Sequence, residues 1–192
     1  RQVVQEEESF RASAEKVEKE VVKEEAPLYG DVDRSHPAFE AISWMTWEDI
    51  VTGYPDGTFR PDASINRVEF LKIVLRAAGA DENAVCMQSF GYGDVQWSSW
   101  YGNYVQKASC ENIVQGYPDE TFRPADTINF VEAAKVAVMA LGLEITEVEG
   151  SWYAPYLKVL KDRDAFPSTI SDNAQALTRG EMAQIVWKLT AE

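Results

Sequence analysis

The chain has 192 residues, 45% of them hydrophobic, and a formal net charge of −14. The apolar content is sufficient for a folded domain with a core, whereas the negative charge makes duplex nucleic acid and anionic membrane surfaces unfavourable partners. No apolar run approaches the length of a membrane span, so no membrane insertion is expected. No signal-peptide pattern opens the chain, and Arg1 as first residue suggests a mature or trimmed start.

Residues 1–27 are rich in Glu, Lys and Val, and they are predicted to form a charged amphipathic helix or linker. The apolar residues at helical spacing are Val3, Phe10, Ala14, Val17 and Val21. Glu7 interrupts this stripe. Two interpretations stay open: the segment docks on a partner or on the body of the protein, or it is a solvated helical linker.

Two long segments of the chain repeat each other at a spacing of 63 residues. The stretch Gly-Tyr-Pro-Asp-Gly-Thr-Phe-Arg-Pro at 53–61 returns at 116–124 with a single substitution. Aligning residues 30–79 with 93–142 gives 22 identical positions without a gap. A fixed internal period indicates a repeated structural module.

A third, more divergent repeat follows. Trp152 lies 52 residues after Trp100, each of them followed by Tyr, and Thr178-Arg-Gly-Glu lies 49 residues after Asn129-Phe-Val-Glu. Residues 166–173 replace the Gly-Tyr-Pro-Asp turn. We therefore predict an N-terminal segment and three repeats that together form one domain, namely residues 1–27, 28–80, 81–143 and 144–192.

Each repeat is predicted to be a helix, a turn and a second helix. The first helices are expected at 37–48, 98–110 and 152–163, and the second helices at 67–78, 130–141 and 179–189. Pro55 and Gly57 fit a type I turn between them, and Gly79 and Gly142 are typical helix stops. The fold class is accordingly mainly α.

The second helices open with residues that fit a capping box. The cap residues are Asn66, Asn129 and Thr178, and their glutamate partners are Glu69, Glu132 and Glu181. Arg67 and Arg179 stand in the first turn, where the helix dipole disfavours a cation unless an anion is near. Free helix-start amides and a guanidinium together would form an anion site. The alternative is an arginine extended into solvent or paired with a nearby Asp.

Catalytic and metal chemistry find little support in the sequence. Asp56 and Asp119 lie in turns without the alternating ligands of an EF-hand loop, so no metal site is predicted. The single histidine, His36, could act in a catalytic triad only with a serine or cysteine on a nucleophile elbow, and the sequence shows none. No enzyme activity or cofactor is therefore expected. Trp100 and Trp152 fall in the helical core register. Trp97, in the loop before them, is the candidate platform for a sugar ring, or it merely covers the helix start.

The two cysteines, Cys86 and Cys110, would close a loop of about 24 residues as a disulfide. In the disputed chain-entropy model such a bond is worth about 3 kcal/mol. The alternative is two separate thiols, one of them buried.

The Asp-Val pairs, the Gly-Tyr-Pro-Asp-Gly-Thr-Phe block and the Ile-Asn-Arg-x-Glu motif resemble the S-layer homology repeat. The resemblance covers about residues 28–191 as a divergent triplet. It implies three helix-turn-helix repeats in a pseudo-threefold spindle around a central helical bundle, here preceded by the N-terminal helix. It also implies an extracellular place at the cell wall or cell surface, which favours the disulfide.

In this family such triplets bind an acidic secondary cell-wall polysaccharide, often pyruvylated, in grooves between the repeats. The resemblance assigns that role to Arg67 and Arg179, beside Asn66 and Thr178. Phe130 replaces the arginine in repeat 2, so that groove either binds nothing, which we prefer, or stacks a sugar on the phenyl ring. We predict a non-covalent cell-surface anchor. The alternative is a surface-layer assembly module in which residues 1–27 contact other subunits.

Overall fold

The computed structural model describes residues 28–80, 86 and 88–191, so the predicted N-terminal helix lies outside the described residues. These contain six helices and no β-strand, which confirms the mainly α class. The helices are α1 (Phe39–Trp47), α2 (Arg67–Ala77), α3 (Gly102–Cys110), α4 (Phe130–Ala140), α5 (Ala154–Asp162) and α6 (Arg179–Thr190). None of the described helices has the length and apolar character of a membrane-spanning segment.

The first helix of each repeat is shorter than predicted because a tight turn precedes it. In repeat 2, the Gly102 N–H donates to the Ser99 carbonyl at 3.1 Å, and the Ser99 N–H donates to Gln96 at 2.9 Å. These bonds span three residues rather than four, so the chain turns before α3 begins. The predicted second helices agree with α2, α4 and α6 to within a residue or two.

The second helices begin at capped residues. The Asn66 side chain accepts a hydrogen bond from the Glu69 N–H at 2.8 Å, and Asn129 and Thr178 do the same in α4 and α6. In α4 and α6 the glutamate also reaches back to the cap N–H, which completes a capping box. The caps therefore hold the starts of these helices in place.

Three backbone hydrogen bonds close the repeats into a ring. Ile65 N–H donates to the Leu177 carbonyl at 3.0 Å, Leu177 N–H donates to Ile128 at 2.9 Å, and Ile128 N–H donates to Ile65 at 3.1 Å. The three residues occupy equivalent positions just before α2, α4 and α6. Each repeat is thus bonded to both others at the same point, with approximate threefold order.

The helices pack in the same cyclic order. The second helices α2, α4 and α6 contact one another, and their inward side chains form the centre of the core. The first helix of each repeat packs on the second helix of the preceding repeat: α3 on α2, α5 on α4 and α1 on α6. The main interfaces between the described helices therefore join different repeats.

The repeated turn is held by a carboxylate and a close backbone approach. The Asp31 side chain accepts from the N–H groups of Phe59 and Arg60 at 2.8 and 2.7 Å. A Cβ added to Gly53 would lie 2.2 Å from the Tyr29 ring, so only glycine fits there. The same contacts recur in repeat 2. In both repeats they fix the position of the segment that follows the first helix.

Cys86 and Cys110 lie together, with their Cα atoms 6.5 Å apart, and the structure joins them as a disulfide. This separation is within the range that a disulfide spans. The bond would tie the connector after repeat 1 to the end of α3.

Candidate functional site

Two equivalent grooves run between neighbouring repeats. The 1–2 groove lies between repeats 1 and 2 and has a volume of about 330 Å³. The 2–3 groove lies between repeats 2 and 3 and has a volume of about 250 Å³. In each, the segment after the first helix forms one wall, residues 50–54 in the 1–2 groove and 113–117 in the 2–3 groove. The second helix of the same repeat forms the floor.

Each groove takes residues from all three repeats. The 1–2 groove receives Trp100 from repeat 2 and Arg179 from repeat 3. The 2–3 groove receives Trp152 from repeat 3 and Arg67 from repeat 1. Each arginine therefore serves the groove formed by the two other repeats, and this follows from the cyclic hydrogen bonding of the chain.

The arginines are held by backbone carbonyls and aromatic rings. Arg179 is 6% exposed, its Nε donates to the Phe59 carbonyl at 2.8 Å, and its guanidinium lies 5.0 Å from the ring centroid of Tyr54. Arg67 is 8% exposed, and its Nε donates to Phe122 at 3.1 Å. Neither arginine extends into solvent. Arg67 pairs with a carboxylate, that of Glu132 rather than a nearby Asp, at 3.3 Å, whereas Arg179 has no carboxylate partner among the described residues.

The helix-start amides do not take part in an anion site. The N–H groups of Arg67 and Val68 donate to the carbonyls of Asp126 and Pro124 at 2.9 and 3.3 Å. In α6 the N–H of Arg179 donates to Ala63 at 2.9 Å, and the next amide and the third are likewise bonded within the protein. The expectation of free amides is therefore wrong, because the ring of repeats already uses them. Anion affinity rests on the side-chain cations.

The tryptophans that line the grooves are not the one expected from the sequence. Trp100 and Trp152 are 54% and 58% exposed and line the grooves, so the interpretation that they pack in the core is wrong. Trp97 is 39% exposed and stacks on Tyr92 outside the linings of both grooves, with ring centroids 6.2 Å apart. Its carbonyl lies against Gly102, so it covers the start of α3. A Trp-Tyr pair precedes both α3 and α5, and this match is the sequence signal that would have indicated Trp100 and Trp152 as groove residues.

Lysines add positive charge beside the tryptophans. Lys72 Nζ lies 5.4 Å from the Trp100 ring centroid in the 1–2 groove, and Lys135 lines the 2–3 groove at the equivalent position. These residues were not predicted from the sequence. Lysine occupies the same position in repeats 1 and 2, and this match is the sequence signal that would have indicated both residues.

The third interface between repeats has lost these features. Phe130 is fully buried and packs edge-on against Phe166, with ring centroids 4.7 Å apart. Pro37 stands where the other interfaces have tryptophan, and Gln184, in place of lysine, donates to the Pro37 carbonyl at 3.0 Å. Because Phe130 is enclosed, it cannot stack on a sugar.

Asn66 and Thr178 act as helix caps rather than open groove ligands. The Asn66 Oδ1 and the Thr178 Oγ1 accept from the Glu69 and Glu181 amides. A separate cavity of about 140 Å³ between α1 and α6 is lined by aromatic residues, among them Trp44, Trp47 and Trp187. Within the part of the chain that the structure describes, no group of three potential metal ligands occurs.

Comparison with known proteins places these features in a family. The model of the S-layer homology domain matches residues 28–71 and 91–134. The chain is 32% identical over 157 residues to the middle cell wall protein of Brevibacillus brevis. That match covers 81% of this chain and 14% of the relative. It is 38% identical over 104 residues to the surface layer protein of Brevibacillus choshinensis, covering 54% of this chain and 9% of that protein.

A third relative is the cellulosome-anchoring protein of Acetivibrio thermocellus, 33% identical over 132 residues. That match covers 67% of this chain and 29% of the relative. The chain thus spans less than a third of the length of each of these proteins.

Proposed function

Because this chain belongs to the S-layer homology family, we propose that it is a non-catalytic module that anchors a protein to the cell surface. Its relatives are named as surface-layer, cell-wall and cellulosome-anchoring proteins, which supports a place at the cell wall. The proposed ligand is an acidic secondary cell-wall polysaccharide, bound non-covalently on the outer side of the cell.

One observation carries the proposal: each groove pairs an exposed tryptophan with a buried arginine. An indole face packs against the apolar face of a sugar ring, since it offers a large rigid surface at low entropic cost. A guanidinium fixed through its Nε matches a carboxylate with its remaining donors. Trp100 with Arg179 therefore suits a sugar that carries a carboxylate, such as a pyruvate ketal, and Trp152 with Arg67 forms the equivalent pair in the 2–3 groove.

Local cations are needed because the molecule as a whole is acidic. A net charge of −14 repels an anionic polymer at long range. Contact within the grooves must overcome this repulsion, and buried or half-buried charges are screened less than exposed ones. Lys72 and Lys135, beside the tryptophans, add to the attraction.

The first experiment is sedimentation of the purified protein with cell-wall sacculi of its own source, before and after removal of the wall polysaccharide. We expect binding to intact sacculi, loss of binding after extraction, and loss of binding in the double variant Arg67→Gln, Arg179→Gln. Arg163→Gln, which changes an exposed arginine outside both grooves, is the matched control. Circular dichroism checks that each variant is folded.

Two results would contradict the proposal. Equal binding to extracted sacculi would exclude the polysaccharide as the ligand. Absence of binding, together with concentration-dependent self-association that is lost when residues 1–27 are deleted, would favour the alternative of a surface-layer assembly module.

A further inference from the structure

The two grooves differ in whether their arginine already has a carboxylate partner inside the protein. In the 2–3 groove, a terminal nitrogen of Arg67 lies 3.3 Å from Glu132 Oε2. The same carboxylate accepts the Tyr117 hydroxyl at 3.1 Å and the Asn129 N–H at 3.4 Å. Arg67 therefore already has an anionic partner inside the protein, and two hydrogen bonds hold that partner in place.

The equivalent contact is missing from the 1–2 groove. Glu69 occupies the position of Glu132, yet among the described residues its carboxylate makes no ion pair or hydrogen bond. No carboxylate of a described residue lies within 4.0 Å of the Arg179 guanidinium. Arg179 donates only through Nε, to Phe59, so its two terminal nitrogens have no protein acceptor among the described residues.

The formal charges of the two grooves are similar, so the difference lies in how each arginine is paired. The 1–2 groove contains three cations, Arg179, Lys72 and Arg76, against Glu69, and Arg76 pairs with Asp49 at 3.5 Å. Counting both carboxylates gives a formal sum of +1 (3 minus 2). The 2–3 groove contains Arg67 and Lys135 against Glu132, which is also +1 (2 minus 1).

We propose that the 1–2 groove is the anion-selective site of this chain, and that Glu132 suppresses anion binding in the 2–3 groove by occupying Arg67. This inference rests on the proposed function. A ligand carboxylate entering the 2–3 groove must displace Glu132 or accept a like charge beside it, and both lower its affinity. In the 1–2 groove the same carboxylate meets a desolvated guanidinium without a competitor.

The test distinguishes the two grooves through their own tryptophans. Protein labelled with 5-fluorotryptophan is titrated with short acidic fragments of the wall polysaccharide and followed by fluorine NMR. Trp100→Phe and Trp152→Phe assign the two resonances. We expect the Trp100 resonance to shift with a midpoint at least tenfold lower in ligand concentration than the Trp152 resonance. Fragments whose carboxyl groups have been reduced are expected to lose this difference.

Two substitutions separate the roles of the charges. Arg179→Gln is expected to weaken the Trp100 response about tenfold or more, as for the loss of a charged hydrogen bond, while the Trp152 midpoint, read in the same titration, changes by less than about threefold. Glu132→Gln is expected to lower the Trp152 midpoint about tenfold. Glutamine at this position retains the capping box, so the helix start is preserved. Glu147→Gln, at an exposed carboxylate outside both grooves, is the matched control and should change each midpoint by less than about threefold.

Each failure has its own meaning. Equal midpoints for the two tryptophans in the unmodified protein, or no gain from Glu132→Gln, would overturn the inference and leave the anchoring function intact. Absence of any fluorine shift with the acidic fragments would overturn both.

Discussion

At the scale of single residues, Trp100 and Trp97 offer a direct comparison of groove and surface. Trp100 lines the 1–2 groove, whereas Trp97 stacks on Tyr92 outside it. We expect Trp100→Ala to weaken binding to sacculi by about 1 kcal/mol, the order of an aromatic packing contact. Trp97→Ala should leave binding unchanged, as measured by sedimentation at several protein concentrations. The opposite ranking would restore Trp97 as the sugar platform.

The turn aspartates have acidities set by their immediate neighbours. A hydrogen bond from the Thr58 hydroxyl, followed by one from Arg60, holds the pKa of Asp56 at about 2, below the ordinary 3.8. The Thr121 hydroxyl and Arg123 do the same for Asp119, whose pKa is also about 2. A pKa lowered by folding means that the ionised carboxylate stabilises the folded state.

The pH dependence of this contribution follows from its sign. It is fully present above the unfolded pKa near 3.8 and is lost as the pH falls from there through about 2. We expect carbon NMR of the Asp56 carboxyl group to titrate near 2, and Thr58→Val to move the pKa upward. Asp119, left with its own threonine, serves as the internal control. Titration of both groups near 3.8 in the unmodified protein would contradict the structure of the turns.

At the scale of elements, the segments that wall the grooves depend on two glycines that approach aromatic rings. A Cβ on Gly53 would lie 2.2 Å from the Tyr29 ring and 2.7 Å from the Thr58 carbonyl. We expect Gly53→Ala to lower the free energy of unfolding by about 1–3 kcal/mol, the cost of overpacking. Gly91→Ala, where nothing lies within 4 Å of the added atom, is the matched control and should be close to neutral. Urea denaturation measures both.

If Gly53→Ala were as stable as Gly91→Ala, the wall of the 1–2 groove would be able to move away from Tyr29. The groove would then be less rigid than the structure shows. The same comparison applies to Gly116, whose added Cβ would meet the Tyr92 ring at 2.2 Å.

At the scale of the whole molecule, the cyclic packing makes the repeats depend on one another. Leu71 in α2 and Ile185 in α6 are both buried in the common core, and each first helix packs on a different repeat. We expect Leu71→Ala and Ile185→Ala each to lower the stability of one shared transition by about 2–5 kcal/mol. Far-UV circular dichroism and tryptophan fluorescence should give coincident curves. Separate transitions, with only one shifted by each variant, would show that the repeats unfold independently. The predicted division at residues 80 and 143 into repeats of one domain is tested by the same measurement.

The features that depend on neighbouring residues could be predicted from the sequence. The 63-residue period, the helix class and the starts of the second helices follow from the Asn or Thr caps and the turn motif, because capping and turn formation involve only a few adjacent residues. Arg67 and Arg179 were also visible, since a cation in the first turn of a helix conflicts with the dipole.

How these residues meet depends on contacts between repeats that are distant along the chain. Arg179 contacts Phe59 across 120 positions of sequence, and its groove takes a tryptophan from another repeat. The closed ring of hydrogen bonds occupies the helix-start amides that a local interpretation leaves free. The pairing of Arg67 with Glu132 likewise depends on contact between repeats. Spacing along the chain specifies each helix, whereas closure of the three repeats into a ring specifies which side chains share a groove and which charges are already neutralised.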